Sequence, residues 1–263
     1  MKKFFVFILL FITACTGNKV DENEIKKANQ FFESIFLDVV QESPEFQTRL
    51  GYKSNYDKWD EIGWEKRRQD SHRAISDLKY LKENINYDRL DNATQLSYRL
   101  MEKRFERLIE SNPFVLNNYI VTHRGGKHSS IPSFLINYHN IDEEEDAKDY
   151  LKRLRNVEPI IDQMIKELEL REGLNVIAPQ FVYPQAIKVC ENIISGYPFE
   201  NTKEQNVIYE DFSKKLNGLE LSDPIKTRYL SEAEAILVTI ISSSYQKLID
   251  FLYEQEKRST DNF

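Results

Sequence analysis

The chain is poor in the residues that build turn-rich or cross-linked folds: 263 residues hold two cysteines, eight glycines and eight prolines. So few turn formers exclude a many-stranded β architecture, and a composition dominated by Leu, Ile, Glu, Lys and Gln favours helix. Histidine is scarce too. None of the four, His72, His123, His128 and His139, is followed by glutamate, and no two lie four apart. The helical zinc-peptidase pattern, two His at i and i+4 with a Glu beside the first, is therefore missing. The G-x-S-x-G elbow, the P-loop and the dinucleotide glycine fingerprint are missing as well. Basic charge is in deficit, with 36 Lys and Arg against 43 Asp and Glu for a net −7. An acidic chain with no basic stripe is a poor nucleic-acid binder, because phosphate neutralisation needs clustered cations.

The N-terminus is richer. Lys2 and Lys3 precede an unbroken apolar run, Phe4 to Ile12, and a small-residue site, Ile12-Thr13-Ala14-Cys15. That order reads as a secretory signal, and nine apolar residues are too few to span a bilayer. Ile-Thr-Ala-Cys resembles the bacterial lipobox. The expectation is removal of residues 1–14, acyl chains on Cys15, a lipidated tether over 15–23 and an α-helical domain over 24–263. Such a chain is exported and anchored to a bacterial membrane. Thr16, where an Asp would retain it at the inner membrane, directs it to the periplasmic side of the outer membrane. Loss of Lys2 and Lys3 takes the net charge from −7 to −9. With Cys15 acylated, Cys190 has no disulfide partner, and its apolar helical setting marks it as a small core residue.

Helical periodicity organises the rest. Ile25, Ala28, Phe31, Phe32, Ile35, Phe36, Val39 and Val40 form an i, i+3, i+4, i+7 stripe. Ser43-Pro44 ends it and opens a short helix stopping at Gly51. Helices are predicted from Trp64 to Leu81, and from Asp91 through Leu96, Leu100, Phe105, Leu108 and Ile109 to a stop before Asn112-Pro113. A short helix follows Pro132 and ends near His139. Asp142 with Glu145 makes a capping-box-like start for a helix to Arg155. Pro159 fits the first turn of the next, with Gly173 near the position beyond its end. Others hold Ile187 and Cys190, then Val207–Leu216. A long helix from Asp223 past Tyr253 carries Ile225, Tyr229, Ala233, Ile236, Leu237, Ile240, Ile241, Tyr245, Leu248 and Leu252. The fold class is all-α.

One segment invites local chemistry: His123, Arg124, Gly125, Gly126, Lys127 and His128, in the least regular stretch, 112–130. Cationic side chains around glycines that expose backbone N–H groups could take a carboxylate or phosphate. The alternative is a structural turn whose charges are solvated. No catalytic residue and no metal ligand can be named.

Several motifs occur together. Ser43-Pro44 with Thr48 and Gly51, then Ile131-Pro132-Ser133-Phe134-Leu135 with His139, then Asp146-Ala147, Tyr150-Leu151 and Arg153-Leu154, and the stretch 170–194 resemble the bacterial domain-of-unknown-function 885 family. Asn175 stands where that family usually has Gly. The resemblance implies a multi-helix array like the N-terminal half of a gluzincin-type zinc carboxypeptidase. It also implies a zinc motif, His-Glu-x-x-Pro-Gly-His, in full-length relatives and downstream of residue 263. No residue here matches that motif, so no cofactor is assigned to this chain. The expected function is that of an N-terminal half of a metallopeptidase-like lipoprotein, truncated here and non-catalytic alone. Its partners would be the membrane, a separate C-terminal half or a peptide substrate, and a separate half predicts an exposed apolar face along Tyr229–Leu252. The alternative is a self-sufficient periplasmic helical lipoprotein that binds a peptide or protein.

Overall fold

Short polar side chains set the helix ends. In the computed structural model, which describes residues 20–261, Asp21 accepts the Asn23 N–H at 3.0 Å and opens α1 (Glu22–Glu42). The signal, Cys15 and most of the tether lie outside the described residues. The helix begins two residues before the expected domain start. Ser43 ends α1 and caps α2 (Pro44–Arg49), its hydroxyl accepting from Phe46 N at 3.1 Å. Two longer helices, α3 (Trp64–Asn84) and α4 (Asn92–Ser111), then pack side by side, and Asp91 caps the second through Thr94 N at 2.8 Å.

Beyond them a two-stranded hairpin, β1 (Val121–Thr122) with β2 (Gly125–Gly126), leads into α5 (Lys127–Tyr138). The array continues through α6 (Glu144–Arg155), α7 (Val157–Gly173), α8 (Tyr183–Ile193), α9 (Val207–Asn217) and α10 (Asp223–Ile236). A π-helical turn, Leu237–Ile241, joins α10 to α11 (Ser242–Arg258). The fold is all-α.

Apolar side chains gather in two cores. A small one joins α1, α3 and α4 through Ala28, Ile35, Ala74, Leu81, Tyr98 and Phe105. The large one surrounds the continuous helix from Asp223 to Arg258. That helix is long and apolar enough to cross a membrane by composition alone. Here it is a core element: Leu237, Ile241, Tyr245, Leu248 and Leu252 are all wholly buried. Burial of each Leu or Ile contributes roughly 1.5–3 kcal/mol relative to exposure. The expected exposed apolar face along Tyr229–Leu252 is therefore absent, because α6, α7, α8 and α9 cover it. Polar links hold the two cores together. Trp64 N donates to Glu167 Oε1 at 3.2 Å, while Arg67 and Arg171 each donate to Asn118 Oδ1 at 3.1 Å.

Four local readings need correction. On α4 the buried residues are Thr94, Tyr98 and Phe105, which leaves Leu96 and Leu100 exposed at 50% and 64%. The aromatic rings bury more area than the leucines and lie about 160° around the helix from Leu96, so they set the inward face. Helix α5 starts at Lys127 and so contains Pro132. Proline cannot donate to the carbonyl four residues back, that of His128; the Tyr245 hydroxyl donates to it instead, at 2.7 Å. The cap of α6 is one residue later than expected. Glu143 is the N-cap, and the buried Asp146 carboxylate accepts from Asp142 N at 2.9 Å and Glu143 N at 3.1 Å. Past α7 the left-handed residue is Asn175 (φ 58°), not Gly173, which is helical. Asparagine is among the few side chains that accept that conformation readily.

Candidate functional site

The 123–128 segment is built by its glycines. Val121 pairs with Gly126 and Thr122 with Gly125, which places His123 and Arg124 at a two-residue tip. Gly125 sits at φ 126°, and a Cβ on Gly126 would come within 2.5 Å of the Ile120 carbonyl oxygen. Thr122 Oγ1 donates to Gly125 O at 2.8 Å and accepts from Arg124 N at 3.2 Å, closing the turn.

From this frame the side chains diverge. His123 is exposed, its ring 5.5 Å from that of Phe181, and Arg124 is exposed beside it. Lys127 turns inward to the Glu45 carboxylate and lies over the Trp59 ring at 4.6 Å. His128 is wholly buried, and neither ring nitrogen has a hydrogen-bond partner. Burial alone lowers its pKa to about 4, so the ring is neutral. The structure thus brings only His123 and Arg124 together at the surface. Cys190 is buried and unpaired, its thiol pushed up to about 12 by burial and then by Glu191.

The motif residues of α2, α5 and α6 converge elsewhere, on Arg153. Its side chain is fully buried and, among the described residues, has no carboxylate partner. Nε donates to Lys58 O at 3.0 Å, one terminal nitrogen donates to Thr48 Oγ1 at 2.9 Å and Asn55 O at 3.3 Å, and the other to His139 Nδ1 at 2.9 Å. The Tyr56, Trp59 and Phe134 rings surround the guanidinium at 5.1–5.6 Å. An acceptor role at Nδ1 makes His139 neutral, with its proton on Nε2 facing the Asp146 carbonyl oxygen at 3.2 Å. Burial, and then the Arg153 charge, hold the His139 pKa down to about 2. Desolvation also brings Arg153 down to about 10. Lys53 completes the junction from outside, 2.7 Å from the Asp146 carboxylate. The shared role of these residues is to lock α2, the 53–59 loop, α5 and α6 together. Sequence reasoning named Thr48, Phe134, His139, Asp146 and Arg153 but had no signal for their meeting, and it missed Lys53, Asn55, Tyr56 and Lys58 altogether.

A cleft of about 280 Å3 opens between α1, α3 and α4. Ile35, Val39, Ala74, Phe105 and Leu108 supply apolar lining, and both signs of charge stand around it. Glu42 takes Arg73 at 2.6 Å and Lys66 at 3.0 Å. The Arg73 bond, then that of Lys66, holds its carboxyl at about 2 against the opposing effect of burial. Asp70 bonds Lys66 and Arg73 as well. Asp77 is raised by burial. Arg67 keeps a buried Nε with no partner. Its guanidinium is lowered by burial and by the neighbouring Arg171. This cleft escaped sequence reasoning because its lining comes from three helices and from Ser43, Asp60 and Glu61 between them, at positions scattered between Ile35 and Leu108. Zinc, which the resemblance implies for longer relatives, does not fit the residues present. Among the described residues no three or more His, Cys, Asp or Glu side chains are grouped to hold a metal.

A helical array locked by a buried arginine and carrying a mixed-charge cleft defines an all-α scaffold. A family model described as "Bacterial protein of unknown function (DUF885)" matches residues 44–263, and the chain belongs to that family. No curated protein matches it. The crystal structure of the "putative lipoprotein from Colwellia psychrerythraea" superposes with a TM-score of 0.77 at 15% identity, over 90% of this chain and 42% of that one. At that identity the likeness speaks for the fold. The chain spans about two-fifths of the length of the structure it matches.

Proposed function

We propose that this chain is the N-terminal helical part of an exported, lipid-anchored, metallopeptidase-like protein, forming one wall of a peptide-binding cleft and hydrolysing nothing alone. The observation that supports this most is the coverage, 90% of this chain on 42% of a longer helical protein. That protein's description as a lipoprotein and the Ile-Thr-Ala-Cys sequence support the anchor. The cleft between α1, α3 and α4 suits a peptide segment, since a main chain offers both donors and acceptors and its side chains find apolar lining. The test is peptide hydrolysis by the mature chain with zinc, alone and co-expressed with the C-terminal part of a family member. Cleavage is expected only in the combination. Chelator-sensitive cleavage by this chain alone refutes the reading.

The burial of Tyr229–Leu252 favours a second reading, a self-sufficient helical lipoprotein that binds a peptide or protein partner. Sedimentation and thermal melting separate the two. A monomer that melts cooperatively supports the second, and a chain that self-associates until its other part is supplied supports the first.

A further inference from the structure

We propose that the outward face of α4 docks this chain on an anionic bilayer surface; the proposal rests on the lipid-anchored reading above. Leu96, Leu100, Lys103 and Arg107 follow one another at i, i+4, i+7 and i+11, which aligns them along one side of the helix. Arg99 and Arg104 flank that line, Arg104 on the side that borders the cleft between α1, α3 and α4, and all six are exposed. The opposite side sends Tyr98 and Phe105 into the small core, so the line faces away from the protein. Few carboxylates offset it. Lys103 has a half-buried i, i+3 partner in Glu106 at 3.0 Å, Glu102 turns to Lys82 of α3 at 3.0 Å, and Glu110 stands exposed at the far end. Among the described residues, Arg99 donates to the Tyr87 hydroxyl alone, at 2.7 Å. Composition had shown no basic stripe; helical spacing conceals this one.

Two observations commit the face to a bilayer. The first is where the tether joins. Asp21 N donates to Arg89 O at 2.9 Å, and Asn86 N donates to Glu24 Oε1 at 2.8 Å, so α1 begins beside the turn that opens α4. Cys15 lies six residues before Asp21, a reach of at most about 20 Å. Leu96 lies about 6 Å along α4 from Asn92. Acyl chains on Cys15 would therefore hold the start of α4 at headgroup level. The second is charge. Leucines lined with cations are the pattern of an interfacial helix on anionic lipid, and in a mature chain of net charge −9 a cationic face turned to the bilayer lowers the repulsion.

The test uses the mature chain with Cys15→Ser, which lacks the acyl site, and co-sedimentation with phosphatidylglycerol-containing or purely phosphatidylcholine vesicles. Binding to the anionic vesicles alone, lost in high salt, is expected. Lys103→Gln/Arg104→Gln/Arg107→Gln should lower it on the order of 100-fold, at about five-fold per cation. Leu96→Gln/Leu100→Gln should lower it without changing the salt dependence. Circular dichroism melts of both variants control for folding. Equal binding to the two vesicle types, unchanged binding by the charge variant, or self-association through α4 in place of vesicle binding overturns the proposal. Acylation is read separately, by mass spectrometry of the membrane-extracted native chain. An unacylated Cys15 with vesicle binding retained refutes the anchor and leaves the docking face standing.

Discussion

Replacing Arg153 with methionine removes a cation that the fold encloses with no carboxylate bonded to it among the described residues. Four acceptors then lose their donor, Thr48 Oγ1 and His139 Nδ1 buried and Lys58 O and Asn55 O partly so. At about 1–3 kcal/mol for each orphaned group, and with the sites relaxing in part, the loss is roughly 4–8 kcal/mol. Working against it is the cost of holding the charge. Burial draws the guanidinium from 12.5 to about 10, which corresponds to about 3 kcal/mol that methionine no longer bears. The net expectation is a loss of about 3 kcal/mol. For a chain of this size that is a fall of about 6–12 °C in the melting midpoint, read by circular dichroism. Arg153→Lys keeps the charge but cannot reach carbonyl, hydroxyl and imidazole at once, so it should fall further than Arg153→Met. A methionine variant as stable as the wild type, or a lysine variant more stable than the methionine one, would refute the assignment of Arg153 as the lock of this junction.

Acid stability should follow the two buried imidazoles. His128 and His139 sit at about 4 and about 2 in the folded chain against an ordinary 6.5. The unfolded state thus binds the extra protons, and stability is full above 6.5 and falls as pH drops, by about 1.4 kcal/mol per pH unit for each ring. Urea midpoints between about pH 6 and 5 should show that slope, halved in His128→Phe; an unchanged slope contradicts the reading. Tyr245→Phe should cost about 1–2 kcal/mol, because the His128 carbonyl loses a donor that Pro132 cannot replace. Pro132→Ala restores an N–H four residues along and should recover part of that loss, whereas simple additivity in the double variant would count against it.

The existence of the helices was legible because periodicity and caps are local. Helix α1, the Ser43-Pro44 break and the long C-terminal helix all stand where spacing placed them, although Phe36 of the α1 stripe is exposed. Faces were harder. Leu96 and Leu100 satisfy a helical pattern as well as Tyr98 and Phe105 do, and only the neighbouring α1 and α3 decide which pair is covered. Pro132 reads as a helix start until a tyrosine more than a hundred residues away supplies the donor it lacks. The Arg153 junction joins Thr48, Asn55, Lys58 and His139, and no spacing rule links such positions. The 123–128 loop shows the converse. Its composition suggested one cationic pocket, yet the backbone its glycines permit sends Lys127 and His128 inward and His123 and Arg124 outward.

The π turn at Leu237–Ile241 changes what the long helix means to its surroundings. Tyr229, Ala233, Leu237, Ile241 and Tyr245 are all buried and lie four apart. In an unbroken α-helix each step of four overshoots a full turn by about 40°, so the row would wander roughly 160° off its seam. The wider turn takes up part of that drift midway. On one side of it α10 meets α6 and α9; on the other, α11 meets α7 and α8. What looks like a single rod is a phase shifter: two helices of different azimuth joined end to end, each tuned to its own pair of neighbours.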